Sequence, residues 1–469
     1  MQTRLKPLPT AATTAGRQSL RRQLGWPHLL ALGIGAIVGT GIYTLIGVGA
    51  DRAGPAIILA FALAGGVCAL AALAYAEMGS MVHESGGAYS YTYIGLGEIP
   101  AWFVGWSLVL EYSVACAAVG VGWSGYVVSA LASAGIHLPA ALTAGPHAGG
   151  IINLPAILVV LAVAALLMRG VHDSARLNAI LVTVKLSALA LFVVLAFTAF
   201  NAENFDPFLP FGVFAQEIGG ETRGLMTAAA VVFFTFFGFD AVATASEEAK
   251  RPERDIAIGI VGSIFVCTLI YMVVAAAAVG AVPFTLIATD PAPLSKILNL
   301  IGHPFAASLI AAAAVIALPT VILVMMFGQT RVFFSMARDG LLPSRLATVS
   351  KSGAPRMVTA AVALCIAAVA GFLPLGEIAE LTNTGTLTAF IATSVTVLAL
   401  RVRYPDAKRG FRYPMVWIFA PLSALGCLYF LISLPALTLE RFVIWNLIGF
   451  AVYFAYSRRR SLVGAGLGK

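Results

Sequence analysis

A chain of 469 residues that is 60% hydrophobic and 11% charged, with a mean hydropathy of +0.93, lies far from soluble globular proteins, where charged residues make up about a quarter. Its net charge of +8 does not indicate a nucleic-acid binder, because no basic stripe with interleaved aromatics occurs and membrane proteins gather Lys and Arg in cytoplasmic loops. The five cysteines all sit in apolar runs without metal-ligand spacing, so they read as small buried hydrophobes and no metal or other cofactor is expected.

At about 20 apolar residues per crossing, the pattern predicts an all-α integral membrane protein with twelve transmembrane helices. The spans fall at 27–49, 55–79, 98–132, 151–169, 176–200, 223–246, 256–282, 304–333, 357–374, 377–402, 414–436 and 440–457. Residues 1–26 are polar and basic, and the apolar run that follows is too long for a signal-peptide core. The first span is therefore expected to remain as an anchor behind a cytoplasmic N-terminal tail. In that orientation 24 of the 29 Lys and Arg face the cytoplasm, and Arg52, Arg223, Lys296 and Arg441 face outside. Lys185 alone is left inside a span. The tail 458–469 is then cytoplasmic as well, and the expected location is the cell membrane. The stretch from Gly79 to Glu98, rich in Gly and Tyr, reads as an amphipathic segment along the cytoplasmic interface.

Span one carries Gly33, Gly35, Gly39 and Gly41 around Thr40. Bare backbone in the middle of a membrane helix suits either a break, whose free N–H groups at the positive end of a half-helix attract a carboxylate, or close packing through the Gly35–Gly39 GxxxG pair. Glu111 in span three is a deep carboxylate. Three duties are open to it: reading a cationic substrate side chain, binding a second proton, or tying helices together. Lys185 follows Arg176 by nine residues and so lies about 14 Å inside span five. An ammonium taken so far from water is the costly form, which makes Lys185 the candidate proton-coupling residue. Span six repeats the theme with Gly238 beside Phe239 and Asp240, and interrupted segments at corresponding places in two halves point to a transporter's binding site.

Three motifs taken in order carry a family resemblance: Gly39-Thr40-Gly41, then Gly238-Phe239-Asp240 with Glu247-Glu248, then Arg331 to Arg338 followed by Asp339, Gly340 and Pro343. From about residue 25 to 457 the chain resembles the amino acid–polyamine–organocation (APC) superfamily, and within it the cationic amino acid transporter family in its bacterial, twelve-span form. The resemblance implies a 5+5 inverted repeat of the leucine-transporter type plus two C-terminal helices, with helices 1 and 6 discontinuous. Its units are expected at 27–200, 223–402 and 414–457. It also implies that the backbone amides of Thr40 and Gly41 hold a substrate carboxylate, and that carbonyls near Ile37, Phe233 and Phe236 receive the amino group. Gly39, Gly238, Cys116, Val119, Phe233, Phe236, Met325 and Met326 are expected around the same pocket, with Asp240 and Glu247 at the inner gate. Glu248, Arg331, Arg338 and Asp339 are expected near that gate. In proton-coupled relatives a lysine at the place of Lys185 stands where others bind sodium.

The expected function is a permease importing an amino acid with protons. Sodium coupling, exchange and a non-transporting sensor are the alternatives, and no nucleophile–base pair supports an enzyme. The sequence leaves the substrate, cationic or neutral, and the oligomeric state open.

Overall fold

The computed structural model describes residues 4–8, 22–39, 41–82, 84–133, 135–146, 149–169, 171–218, 221–288, 292–348, 355–373, 375–434 and 436–465. In chain order the helices are α1 (Trp26–Ile37), α2 (Ile46–Ala53), α3 (Ile57–Met81), α4 (Ala88–Gly95), α5 (Glu98–Ser133), α6 (Leu154–Arg169), α7 (Val171–Thr198), α8 (Leu225–Val232) and α9 (Asp240–Thr244). They continue as α10 (Pro252–Ala281), α11 (Pro293–Leu300), α12 (Pro304–Ala317), α13 (Pro319–Arg338), α14 (Arg356–Phe372), α15 (Leu375–Arg403), α16 (Val416–Ile432) and α17 (Ala436–Val452). The strands among the described residues form one short antiparallel hairpin, Gln216–Ile218 with Glu221–Arg223, in the loop before α8.

Among the described residues eight helical stretches are long and apolar enough to cross a membrane: Ile46–Met81, Glu98–Val128, Asn178–Thr198, Leu225–Thr244, Pro252–Ala281, Pro304–Arg338, Leu381–Arg403 and Ala436–Arg460. Four shorter apolar helices accompany them, namely α1, α6, α14 and α16. At 36 residues α5 is about 54 Å long, well beyond the hydrocarbon thickness, so it must tilt or project from the bilayer.

The distribution of side chains is that of a protein solvated by lipid. Large apolar residues such as Leu158, Val194, Phe265, Leu364 and Val443 are exposed, while Ser107, Thr235, Ser263, Gln329 and Thr393 are buried. Polar side chains hidden from lipid find partners on their own helix: Thr388 donates to Thr384 O at 2.7 Å and Thr393 to Ala389 O at 2.8 Å. Small residues bring the helices together. Gly65 of α3 lies against Thr268 of α10, Gly79 against Ile256, and Gly33 of α1 against Ser263.

The segment expected at the interface is instead interior, since all eight residues of α4 are buried. Its tyrosines are polar because buried carboxylates await them: Tyr89 Oη donates to Asp339 Oδ2 at 2.9 Å, and Tyr93 Oη to Glu98 Oε2 at 2.9 Å.

One buried carboxylate fastens α3 to the second half of the chain. Glu77 receives Arg401 from α15 at 2.5 and 2.8 Å, Arg409 at 2.9 Å and the Tyr413 backbone N–H at 2.7 Å. Replacing Glu77 with Ala strands two largely buried guanidiniums, for which the cost is about 3–5 kcal/mol. The expected outcome is a marked drop in the thermal unfolding midpoint in detergent, larger than that of Glu203→Ala in the exposed loop after α7.

Candidate functional site

Two stretches of irregular backbone meet inside the bundle. The α-helical ladder of α1 closes with Val38 N–H donating to Ile34 O at 2.9 Å, after which Val38 turns to ψ 93°. Residues Gly41–Leu45 then form a π-helical turn leading into α2. Thr40, expected to bind the substrate carboxylate, lies outside the described residues. On the facing segment α8 gives way to a 3-10 turn, Phe233–Phe236, and Gly238 adopts φ +113°, a left-handed conformation open to glycine, before α9 begins.

Glycines allow the contact. A Cβ on Gly41 would sit 2.7 Å from Thr235 Cα, and one on Gly238 would sit 2.7 Å from Ala36 Cβ and 2.6 Å from Met325 Cε. Gly39 is pressed in the same way on Val321. The expected pocket residues Ile37, Gly39, Gly41, Gly238 and Met325 are therefore brought together. Cys116 is close by, with its thiol donating to Ile322 O at 3.6 Å. The rings of Phe233 and Phe236 turn elsewhere: Phe233 packs on Phe390 and Phe430, and Phe236 on Phe61 and Tyr271. Only their main chain belongs to the irregular segment.

Tyr271 of α10 is a residue that sequence reasoning missed. Its hydroxyl lies 2.7 Å from Ile37 O and 3.0 Å from Thr235 O, so one donor is shared between the two irregular segments. Nothing in the sequence separates it from the other buried tyrosines except a period that places it on the same face of α10 as Ile264 and Cys267.

Lys185 reaches the end of α1. Its ammonium donates to Gly35 O at 2.7 Å, Val38 O at 2.5 Å and Thr320 Oγ1 at 2.9 Å, which uses all three N–H groups. Thr320 was also missed, because it stands one residue before the hydroxyl-free run that begins at Val321. Glu111 accepts from Thr386 Oγ1 of α15 at 2.7 Å, and its other oxygen has no hydrogen-bond partner. Its neighbour Tyr112 donates to Asp240, whose second oxygen is likewise unpartnered. Asp240 is thus bound to a hydroxyl, whereas Glu247 and Glu248 pair with Arg338 and Arg331.

A sequence model described as amino acid permease matches residues 24–455. The chain belongs to the amino acid permease family, within the APC superfamily. It is 44% identical to the branched-chain amino acid permease BcaP of Bacillus subtilis, over 96% of each chain. It is 42% identical to the methylthioribose transporter of the same organism, over 98% of each. Identity to the vacuolar cationic amino acid transporter 4 of Arabidopsis thaliana is 35%, over 83% of this chain and 65% of the plant protein. Family membership identifies the chain as a multi-pass membrane transporter and not an enzyme.

At one end of this permease the elements are pinned by charge. Arg338 pairs with Glu247 at 2.7 Å, and Arg331 with Glu248 at 2.9 Å while its guanidinium stacks on Phe327 at 3.9 Å. The segment entering α1 hydrogen-bonds alongside, with Leu24 N donating to Glu248 O and Lys250 N to Leu24 O. A strap of residues 4–8 adds a third lock. Lys6 donates to Glu84 at 2.6 Å and to Asp339 at 2.8 and 2.9 Å, all three groups being buried. No sequence signal marks this partner set, since Lys6 is one of several basic residues in a polar tail.

Burial is the largest single effect and opposes both charges of this lock, but the partners together outweigh it. Asp339 and Glu84 hold the Lys6 ammonium above its usual pKa of 10.5, and Lys6 with Arg338 holds the Glu84 carboxyl below 4.5. The Glu84 contribution is present above pH 4.5 and is lost as pH falls through its lowered folded value. The Lys6 contribution is present below 10.5 and is lost as pH rises through its raised value. Proteolytic protection of the strap is therefore expected to stay constant from about pH 5 to about pH 10 and to fall in stronger acid. Lys6→Ala, which leaves two buried carboxylates without their ammonium, removes the protection at every pH at a cost of about 3–5 kcal/mol.

Proposed function

We propose that this permease is a secondary active transporter that imports an amino acid with an apolar side chain across the cell membrane, coupled to protons through Lys185. In this reading the chain makes twelve crossings. Residues 27–200 and 223–402 form two five-helix repeats of opposite topology, 414–457 adds two helices, and both termini are cytoplasmic. Spans one and six are the interrupted helices, α1 with α2 and α8 with α9.

The observation that carries the proposal is the Lys185 ammonium on the last carbonyls of α1. A helix ending inside a membrane leaves acceptors that water cannot serve, and a protonated lysine supplies three donors to them. A neutral amine has two. Loss of the proton therefore removes a donor and a charge from the joint between α7 and α1. Movement of α1 away from Lys185 would open the path past Glu247 and Glu248 to the cytoplasm. In this reading the backbone amide of Gly41 takes the carboxylate and the carbonyls of Ile37, Phe233 and Phe236 the ammonium, so the zwitterion is bound without charged side chains. Glu111 fits a helix tie or second proton site better than a reader of substrate charge, because its bonded oxygen faces Thr386 of α15. Support for an apolar side chain comes from Cys116 and Met325 beside the two segments, and from the name of the branched-chain relative.

Two measurements test this. Thermal unfolding of the purified protein with leucine, isoleucine or valine at a hundredfold excess over Kd should show stabilisation of about 2.7 kcal/mol, with arginine and methylthioribose inert. A shift with arginine alone, or with methylthioribose alone, would overturn the substrate class. Lys185→Ala in proteoliposomes should lose concentrative uptake and its dependence on external pH. Proton coupling at this lysine fails if the variant accumulates substrate against its gradient and follows pH as the parent does.

A further inference from the structure

Beside the strap, where the chain's two ends meet, lies a groove of about 510 Å³ lined by Arg4, Phe454, Arg458, Arg459, Ser461 and Gly464. Its upper wall is cationic. Among the described residues neither Arg458 nor Arg459 has a carboxylate partner, whereas Arg4 pairs with Glu98 at 3.1 Å and donates to Arg458 O at 3.1 Å. Glu98 is itself divided among Arg4, the hydroxyls of Tyr93 and Tyr453 at 2.9 and 2.7 Å, and Ser461. Three guanidiniums thus face the groove with one heavily shared carboxylate behind them.

The lower wall is apolar. The exposed Phe454 ring lies 5.8 Å below the Arg458 guanidinium, and it continues the outer face of α17, where Leu447 and Ile448 are also exposed. A cationic ledge above an aromatic at the end of a membrane helix is the level at which phospholipid headgroups meet their chains. The ligand that matches both walls has a phosphate, a net negative charge and an attached hydrocarbon. Guanidiniums with free N–H groups bind phosphate oxygens in a bidentate fork.

We propose that this groove binds the headgroup of an anionic phospholipid, with its phosphate held by Arg458 and Arg459 and its chains lying along Phe454. The site has a second consequence, because Arg4 lines it and stands two residues from Lys6. A lipid phosphate there draws Arg4 against the ledge and tightens the strap that closes over Glu84 and Asp339. Occupancy of the groove is thereby linked to the lock at the charged end of the bundle. The proposal rests on the membrane-spanning assignment and is independent of the substrate and of proton coupling at Lys185.

The test uses the full chain, purified and delipidated in a neutral detergent, with phosphatidylglycerol, phosphatidylcholine or inorganic phosphate added. Lipid retention is read by native mass spectrometry and strap protection by limited proteolysis. Phosphatidylglycerol should be retained in preference to phosphatidylcholine and should slow cleavage of the strap. The Arg458→Ala/Arg459→Ala variant should retain it about thirtyfold less well, as loss of two basic groups at a charged membrane surface implies. Arg458→Lys/Arg459→Lys, which keeps the charge, should fall between the two and guards against a misfolded alanine variant. Equal retention of both lipids, unchanged retention by the alanine variant, or an equal effect of inorganic phosphate would each overturn the proposal. None of these readouts requires transport, so a failure of the transport reading leaves them interpretable.

Discussion

A helix that stops inside a bilayer must hand its last carbonyls to some other donor, because lipid offers none. In this protein the last carbonyls of α1, buried inside the bundle, are met by one side chain, the Lys185 ammonium, supported by Thr320. Tyr271 serves the next carbonyl, that of Ile37, and shares its hydroxyl with Thr235 of the facing segment. The irregular backbone is buried inside the bundle, where α7, α10 and α13 supply donors to it. The glycines do the complementary work, removing side chains where the segments touch at Gly41–Thr235 and Gly238–Ala36.

The same constraint orders the rest of the bundle. Outward faces are apolar and need no specific partner, so helix positions are set by small residues and by buried polar bonds. Glu77, Glu98 and Glu248 are each engaged by arginine, and Glu111 and Asp240 by hydroxyls. The two classes differ in what they permit. A carboxylate facing a guanidinium is part of a charge pair, whereas Glu111 and Asp240 each accept from a single hydroxyl. The arginine pairs lie toward the ends of the helices, whereas Asp240 stands beside Gly238 at the start of α9 and Glu111 against α15.

Much of this was legible in the sequence because the bilayer imposes coarse rules. The apolar runs and the glycines that meet at Gly41–Thr235 and Gly238–Ala36 are one-dimensional signals, and Lys185 is conspicuous as a cation deep inside an apolar run. What could not be read depends on three-dimensional partners. Tyr271 and Thr320 look like ordinary packing residues until the carbonyls they face are known. The α4 tyrosines gave an interfacial reading since polarity is informative only once the buried carboxylates of Asp339 and Glu98 are placed beside them. Lys6 in a basic tail is indistinguishable from its neighbours in sequence. For Phe233 and Phe236 the residue type suggested a pocket wall, yet the rings face an aromatic cluster and only their main chain lies at the crossing.

The bond from Arg4 to the carbonyl of Arg458 joins residues 454 apart, and the strap it anchors also holds Lys6 over Asp339. During synthesis the early helices enter the bilayer long before Arg458 leaves the ribosome. The contact between the strap and this segment therefore forms only after residue 458 has been synthesised, so a chain cut before it lacks this clasp.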